Sequence, residues 1–407
     1  MSPTARLTGL ALGGMWLGAS CVLPPVALVD REEAGGSKGG DVTSSGGEAG
    51  NGGNPPTTCV HARWPEPPSA TVPGGAEIEV IAAVRAIDIG EGAPDLSSLG
   101  PARGYDLDQF CTGEGDGSSC LLPEGGNPAA SKDGPGGIDN ASAVLFGAIK
   151  AFEPLLDSAR FSEGADRGDW SLLVRVQGYN GLPDDSEVTV SLYPSPGLRA
   201  EKCVSMDAVP KWDGTDAWPV GTSALKMGSG TGDDGGRGTC SPGVPGYSFD
   251  RPRFTDPKAY VSGGQVVANL PDVEITAWLA KSPLVLRLKA GFVTGKLVKV
   301  GSGYGIEGGR FVGRWPTSAM LRQLAASVTS ELPVCTDNPI YKLLKDGVCD
   351  ARDVTSTLGG PTTPCDALSI GIAFEAAPAT LGAVVPLAPS ESECPPELDP
   401  ANDDCSP

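Results

Sequence analysis

The sequence predicts a mainly β protein: an antiparallel β-sandwich that carries two or three short packing helices. Several segments alternate apolar and polar residues with a period of two, which is typical of strands with one buried face. Glycine (58 residues) and proline (38 residues) make up about a quarter of the 407 residues, which favours turns and short strands over long helices. A jelly-roll or concanavalin-like strand order fits this pattern.

The strands are predicted in chain order. Residues 76–87 indicate one long strand or a strand pair, and residues 170–179 and 187–193 indicate a hairpin around Asn180-Gly181. Asn-Gly is a strong hairpin signal because the turn needs positive φ angles. The remaining strands are expected at residues 259–261, 265–268, 273–279, 284–290, 293–300 and 369–375.

Three helices are predicted where apolar residues recur every three or four positions. Residues 141–156 follow Asn140, a good capping residue, and residues 317–330 place apolar side chains at i, i+4 and i+8. A third helix begins at Pro339, because proline suits the first helical position. All three are expected to pack on the β core.

Residues 1–20 have the order of an export signal peptide: one arginine, an apolar stretch and then small residues. The apolar stretch is shorter than the roughly 20 residues of a membrane-spanning helix. The signal ends in Gly18-Ala19-Ser20-Cys21, which resembles a bacterial lipoprotein signal, in which the cysteine carries lipid and begins the mature chain. Cys21 is therefore the predicted lipidation site and membrane contact, with an ordinary secreted chain as the alternative.

Residues 21–58 are predicted to be a disordered tether, since residues 31–56 hold nine glycines and no aromatic residue. Those 26 residues would span about 28 Å on average as a Gly/Ser-type chain. A globular domain is expected over residues 59–386, followed by an irregular acidic tail over 387–407. The predicted location is the cell envelope, at the outer membrane.

Composition excludes several function classes. The net charge of −20 repels nucleic acid, so no nucleic-acid partner is expected. His61 is the only histidine, which excludes multi-histidine metal centres, and it stands beside the tether, where a rigid catalytic site is not expected. No catalytic residue and no required cofactor are assigned.

The 11 cysteines predict disulfides in an oxidising compartment. Lipidation of Cys21 leaves ten, an even number that can pair completely. No two cysteines have the C-x-x-C spacing of zinc or thioredoxin-like sites, so metal binding by thiols is not expected. Closure of short loops favours Cys111–Cys120, Cys203–Cys240, Cys335–Cys349 and Cys394–Cys405, and leaves Cys59 to pair with Cys365.

Two acidic loops predict a structural calcium site. In the first, Asp106 and Asp108 stand two positions apart, and the second supplies Asp133, Asp139 and Asn140 among glycines. Calcium binds six to eight oxygens from closely spaced carboxylates, amides and carbonyls in turns. These five residues are the expected ligands if the loops meet. The alternative is solvated carboxylates, with Asp139 or Asn140 capping the following helix.

Two tryptophans flank two aspartates in a second candidate site, formed by Trp212, Asp213, Asp216 and Trp218. Indole faces beside carboxylates suit the stacking and hydrogen bonding of a sugar, so a glycan is a predicted partner, with another envelope protein as the alternative. A carboxylate pair is also the acid and base of a glycosidase. The competing interpretation is that both tryptophans cover the sheet.

Four segments carry a resemblance to a known group: GYDLDQFC (104–111), DGPGGIDNA (133–141), VQGYNGLPDDSEVTVSLY (176–193) and CDALSIGIAFEAAPATLG (365–382). They resemble a group of uncharacterised exported lipoproteins of soil bacteria with large genomes. The resemblance implies export, paired cysteines and a β-rich body. The segment around residues 179–181 is also similar to strands of concanavalin-type sandwiches, a fold of lectins and glycosidases.

The predicted function is that of an exported, lipid-anchored envelope protein that acts as a non-catalytic surface binding or structural module. The alternative is a carboxylate-dependent glycan hydrolase on a β-sandwich scaffold.

Overall fold

The computed structural model describes most of the chain from Cys59 to Cys405. The described residues are 59–69, 77–92, 103–113, 117–150, 157–200, 205, 207–228, 244–279, 282–325, 328–329, 332–357, 359–387 and 394–405. All of them belong to the unit Asn54–Pro407. The predicted signal peptide and tether, Cys21, and the predicted pair Cys203–Cys240 lie outside the described residues.

The predicted mainly β class with short packing helices is confirmed. The strands are β1 Ile78–Asp88, β2 Ser171–Tyr179, β3 Asp185–Ser195, β4 Ala217–Gly221, β5 Phe254–Ser262, β6 Gln265–Leu279, β7 Ser282–Val300, β8 Gly303–Pro316, β9 Val328–Thr329, β10 Leu332–Pro333, β11 Ala367–Pro378 and β12 Thr380–Val385. The helices are α1 Ala141–Lys150, α2 Ser158–Asp166, α3 Thr317–Ala325 and α4 Pro339–Asp350. None of the described helices is long and apolar enough to cross a bilayer.

Eight strands close into one antiparallel barrel in the order β1-β11-β8-β7-β6-β5-β3-β2. Strand β1 completes the ring, since its Ala83 lies opposite Leu173 of β2 on one side and Ala377 of β11 on the other. This corrects the predicted sandwich, which has two stacked sheets. The alternating pattern does not distinguish the two arrangements because it reports only that one face of each strand is buried.

Two strands are longer than predicted. Residues 265–268 and 273–279 belong to the single strand β6, and residues 284–290 and 293–300 to the single strand β7. In β7 the interruption is a local irregularity: Ala290 has a φ of 47°, and the pairing with β8 shifts between Lys289 and Phe292. Such a bulge bends a strand without ending it. Strands β4, β8, β9, β10 and β12 and helix α2 are not among the predicted elements. Strand β9 lies within residues 317–330, where a helix was predicted, so that prediction is wrong beyond the end of α3 at Ala325.

Strands β1 to β3 bury side chains on both faces. Val80, Ala82 and Val84 of β1 belong to the barrel core, whereas Ala83 joins a second apolar cluster that includes Trp218. The parallel pair β4–β12 contributes to this second cluster and lies outside the barrel. Burial on both faces explains the consecutive apolar residues at 80–84 of β1 and 172–174 of β2.

The described cysteines form four disulfides: Cys59–Cys111, Cys120–Cys365, Cys335–Cys394 and Cys349–Cys405. The predicted pairs Cys111–Cys120, Cys335–Cys349, Cys394–Cys405 and Cys59–Cys365 are therefore wrong. Short loops close most readily in a free chain, but in a folded protein the positions of the Cβ atoms decide. The fold brings Cys120 to Cys365 across a separation of 245 residues. Two of the bonds attach the tail to α4 and the residues before it.

Candidate metal centre

The structure brings the two predicted acidic loops together. Backbone hydrogen bonds join the first loop (residues 104–111) to the second loop (residues 133–140): the N–H of Asp139 donates to the carbonyl oxygen of Tyr105 at 3.1 Å. Just beyond the first loop, the N–H of Thr112 donates to the carboxylate of Asp133 at 2.6 Å. The main chains of the loops therefore position their acidic side chains.

Two consecutive glycines allow the second loop to approach the first. Gly136 and Gly137 have φ angles of 75° and 73°. A Cβ atom on Gly137 would stand 2.8 Å from the carbonyl oxygen of Phe110 and 3.2 Å from Cγ of Asp106. The loop conformation and this close approach both require glycine.

Three carboxylates converge where the loops meet. Oxygens of Asp106, Asp108 and Asp139 lie within 4.8 Å of one another. Each carboxylate also accepts a backbone N–H of the first loop, which fixes its orientation. Opposite ligands of a calcium ion, at 2.3–2.6 Å from it, would stand about 5 Å apart. The spacing of the three carboxylates therefore suits calcium.

Two more aspartates surround this trio. Asp133 is buried in the second loop, and Asp353 is buried after helix α4. Asp353 accepts the N–H of Ser369 in β11 at 2.8 Å. The sequence did not predict Asp353 as a site residue, because an aspartate after a helix is common and it stands far along the chain from both loops. We call these five aspartates the aspartate cluster.

Burial raises the pKa of four carboxyls in the aspartate cluster. The pKa of Asp139 is well above its usual range, that of Asp133 is raised to about 8, that of Asp353 to about 7, and that of Asp106 is raised as well. Desolvation is the largest cause in each case, and the charge of Asp108 adds to it. A divalent cation would replace this repulsion between like charges by attraction.

Asn140, predicted as a calcium ligand, lies outside the cluster. Its side-chain Nδ2 donates to the carbonyl oxygens of Arg103 and Gly371, each at 2.9 Å. Its Oδ1 accepts the N–H of Gly371 at 3.0 Å. The carboxamide therefore fastens the start of helix α1 to strand β11, and this corrects the prediction.

His61 lies at the edge of the site. This was not predicted, because His61 stands beside the predicted tether in the sequence. Its Nδ1 is hydrogen-bonded to Oδ2 of Asp106. The adjacent Ala62 donates its N–H to the carbonyl oxygen of Gly136 at 2.7 Å and accepts the N–H of Asp106 at 2.9 Å. The segment that follows the predicted tether thus contacts both loops.

The residues of the predicted carbohydrate site have structural roles. Trp218 is fully buried in the second apolar cluster, so it offers no face to a sugar ring. Asp216 accepts the N–H groups of Lys211 and Trp212 within its own loop. Asp213 is exposed and hydrogen-bonds Thr215, which lowers the pKa of Asp213. These contacts favour the interpretation that the tryptophans cover the sheet.

No protein-family model matches the chain, and no curated protein or solved structure is significantly similar to it.

Proposed function

We propose that this protein is an exported, lipid-anchored envelope module that binds calcium through Asp106, Asp108 and Asp139 and has a binding or structural role rather than a catalytic one. The convergence of these three carboxylates within 4.8 Å carries the proposal. Asp133 and Asp353 add negative charge around the ion. Calcium fits better than magnesium because it accepts irregular ligand geometry, whereas magnesium requires a near-ideal octahedron.

The bound ion would fasten three segments together beside strand β11 of the barrel. The first loop, the second loop and the segment after α4 come from distant parts of the chain, and Asp353 connects the last of them to β11 through Ser369. Without a cation, mutual repulsion among the buried carboxylates opposes their approach. With a bound cation, the same carboxylates would hold the three segments together.

Calcium is expected to raise the melting temperature of the cation-free chain and to bind with measurable heat. Binding to the folded state alone adds about 2.7 kcal/mol of stability at a concentration 100 times the dissociation constant. The measurements are isothermal titration calorimetry and thermal melts of the purified chain, with magnesium as the comparison ion.

The Asp108→Asn substitution is expected to change the melting temperature in opposite directions without and with calcium. Without calcium, the variant is expected to melt at a higher temperature than the unmodified chain, because one repelling charge is gone. When calcium is added, the melting temperature of the variant is expected to rise much less than that of the unmodified chain. Asp213→Asn is the matched control, since Asp213 is exposed in another loop. An absence of heat and of any shift at millimolar calcium would remove the proposal.

The proposed anchor rests on the signal-like residues 1–20, on Cys21, and on the even number of cysteines that remain. The four disulfides of the described residues are consistent with an oxidising compartment. In a bacterial host that processes lipoproteins, labelled palmitate is expected to enter the chain and not its Cys21→Ala variant. Equal incorporation into both chains would contradict the anchor and leave the calcium proposal standing.

A further inference from the structure

A second set of metal-binding atoms adjoins the aspartate cluster. The sulfurs of Cys59 and Cys111 and a ring nitrogen of His61 lie within 4.8 Å of one another. Nδ1 of His61 is 3.7 Å from Sγ of Cys111, and the same nitrogen is hydrogen-bonded to Asp106. Two sulfurs, one imidazole nitrogen and one carboxylate oxygen are ligands that zinc takes in tetrahedral sites.

The oxidised protein cannot offer this set, because Cys59 and Cys111 are joined in a disulfide and zinc binds thiolates. Two electrons and two protons convert the disulfide into two thiols. A dithiol reductant supplies both and becomes a disulfide itself. Zinc then displaces the two thiol protons as it binds.

We propose that reduction of the Cys59–Cys111 disulfide creates a zinc site of Cys59, His61, Cys111 and Asp106. Contacts other than the disulfide hold the segment around His61 beside the two loops, since Ala62 is hydrogen-bonded both to Gly136 and to Asp106. The side chain of His61 is 29% exposed, which gives an ion a path from solvent.

Among the described disulfides, only Cys59–Cys111 has a histidine beside it that could help to bind zinc. His61 is the only histidine of the chain, so the other three described disulfides have no imidazole beside them. The absence of a C-x-x-C motif does not argue against this site, because its ligands come from two segments, Cys59-x-His61 and Cys111, that only the fold brings together. The two proposed sites share Asp106, but the zinc site does not depend on calcium binding, because Asp108 and Asp139 take no part in it.

Cobalt provides a direct spectroscopic test, since it replaces zinc and reports its ligands. The full chain is reduced with a water-soluble phosphine, which becomes a phosphine oxide, and is titrated with Co²⁺ without oxygen. The reduced chain is expected to bind one ion with a sulfur-to-cobalt charge-transfer band and the intense visible bands of tetrahedral cobalt. The oxidised chain is expected to show neither, and Zn²⁺ should abolish both bands.

Alkylation followed by mass spectrometry identifies the cysteines. Zinc is expected to protect Cys59 and Cys111 from alkylation and to leave the other described cysteines reactive. Protection spread over other pairs, or a charge-transfer band that persists in Cys59→Ser/Cys111→Ser, would overturn the proposal.

Two single variants separate this site from the calcium site. His61→Gln keeps every cysteine and is expected to weaken zinc binding at least about tenfold, since even residues that only support a ligand change affinity by 10–100-fold. Asp108→Asn is expected to lose calcium binding and keep zinc binding. Unchanged zinc affinity in His61→Gln would contradict the zinc proposal, whatever the calcium titration shows.

Discussion

The cation-free protein is expected to lose stability as the pH rises from about 4 to about 8. Burial raises the pKa of Asp133 from 3.8 to about 8 and that of Asp353 from 3.8 to about 7. Between the pKa of each aspartate in the unfolded chain and its pKa in the folded chain, the folded chain keeps a proton that the unfolded chain has released. The contribution to stability is therefore complete below the pKa of the unfolded state and is lost as the pH rises through the pKa of the folded state. Each such group lowers the free energy of unfolding by up to about 1.4 kcal/mol per pH unit.

Urea unfolding at a series of pH values, on protein freed of divalent cations, measures this slope. Millimolar calcium is expected to flatten it, because a bound cation favours the ionised carboxylates. Asp353→Asn removes one titrating group and should reduce the slope, whereas Asp213→Asn should not. Stability that rises with pH in the cation-free protein would show that the buried aspartates are compensated by other charges.

Removal of the Cys120–Cys365 disulfide is expected to lower the free energy of unfolding by about 5 kcal/mol. The bond joins residues separated by 245 positions, and the stabilisation from restricting the unfolded chain grows with the logarithm of loop length. Both cysteines are buried, so their loss also leaves a packing defect. Urea unfolding of Cys120→Ala/Cys365→Ala without reductant gives the value.

Cys349→Ala/Cys405→Ala is the matched control, because its bond spans only 56 positions. The same relation gives about 4 kcal/mol for that loop, so the control should be the more stable of the two variants by about 1 kcal/mol. An equal or larger loss in the control would mean that native packing, rather than loop length, sets the contribution of these bonds.

Calcium and the disulfides would act on the same region. Cys120 lies beside the main chain of Asp353, with its sulfur 3.2 Å from the carbonyl oxygen, and Cys111 ends the first loop. Covalent bonds and an ion would thus act together with the hydrogen bonds that join these segments. Extracellular calcium modules typically bind with dissociation constants of about 10⁻⁴–10⁻³ M, which sets the range for the titration.

Much of the local structure could be predicted from the sequence. Alternation identified β1, β2, β3 and β11, because a strand with a buried face needs apolar residues at every second position. Asn338 caps helix α4 and Pro339 begins it, as expected from their chemistry. The aspartates of the two loops could be singled out as candidate cation ligands because turns expose closely spaced oxygens.

The tertiary structure alone decided how these pieces meet. Closure of the barrel, the pairing of every described cysteine, and the arrival of Asp353 and His61 beside the first loop depend on contacts between residues far apart in the chain. Local patterns report how a side chain relates to its near neighbours and to the core. They carry no information on which distant segment lies opposite, and they could not show that Asn140 is bound to β11. The sequence by itself therefore determined several of the strands, the start of helix α4 and the positions of the acidic loops, and the fold decided that four predicted aspartates and one unpredicted aspartate lie together.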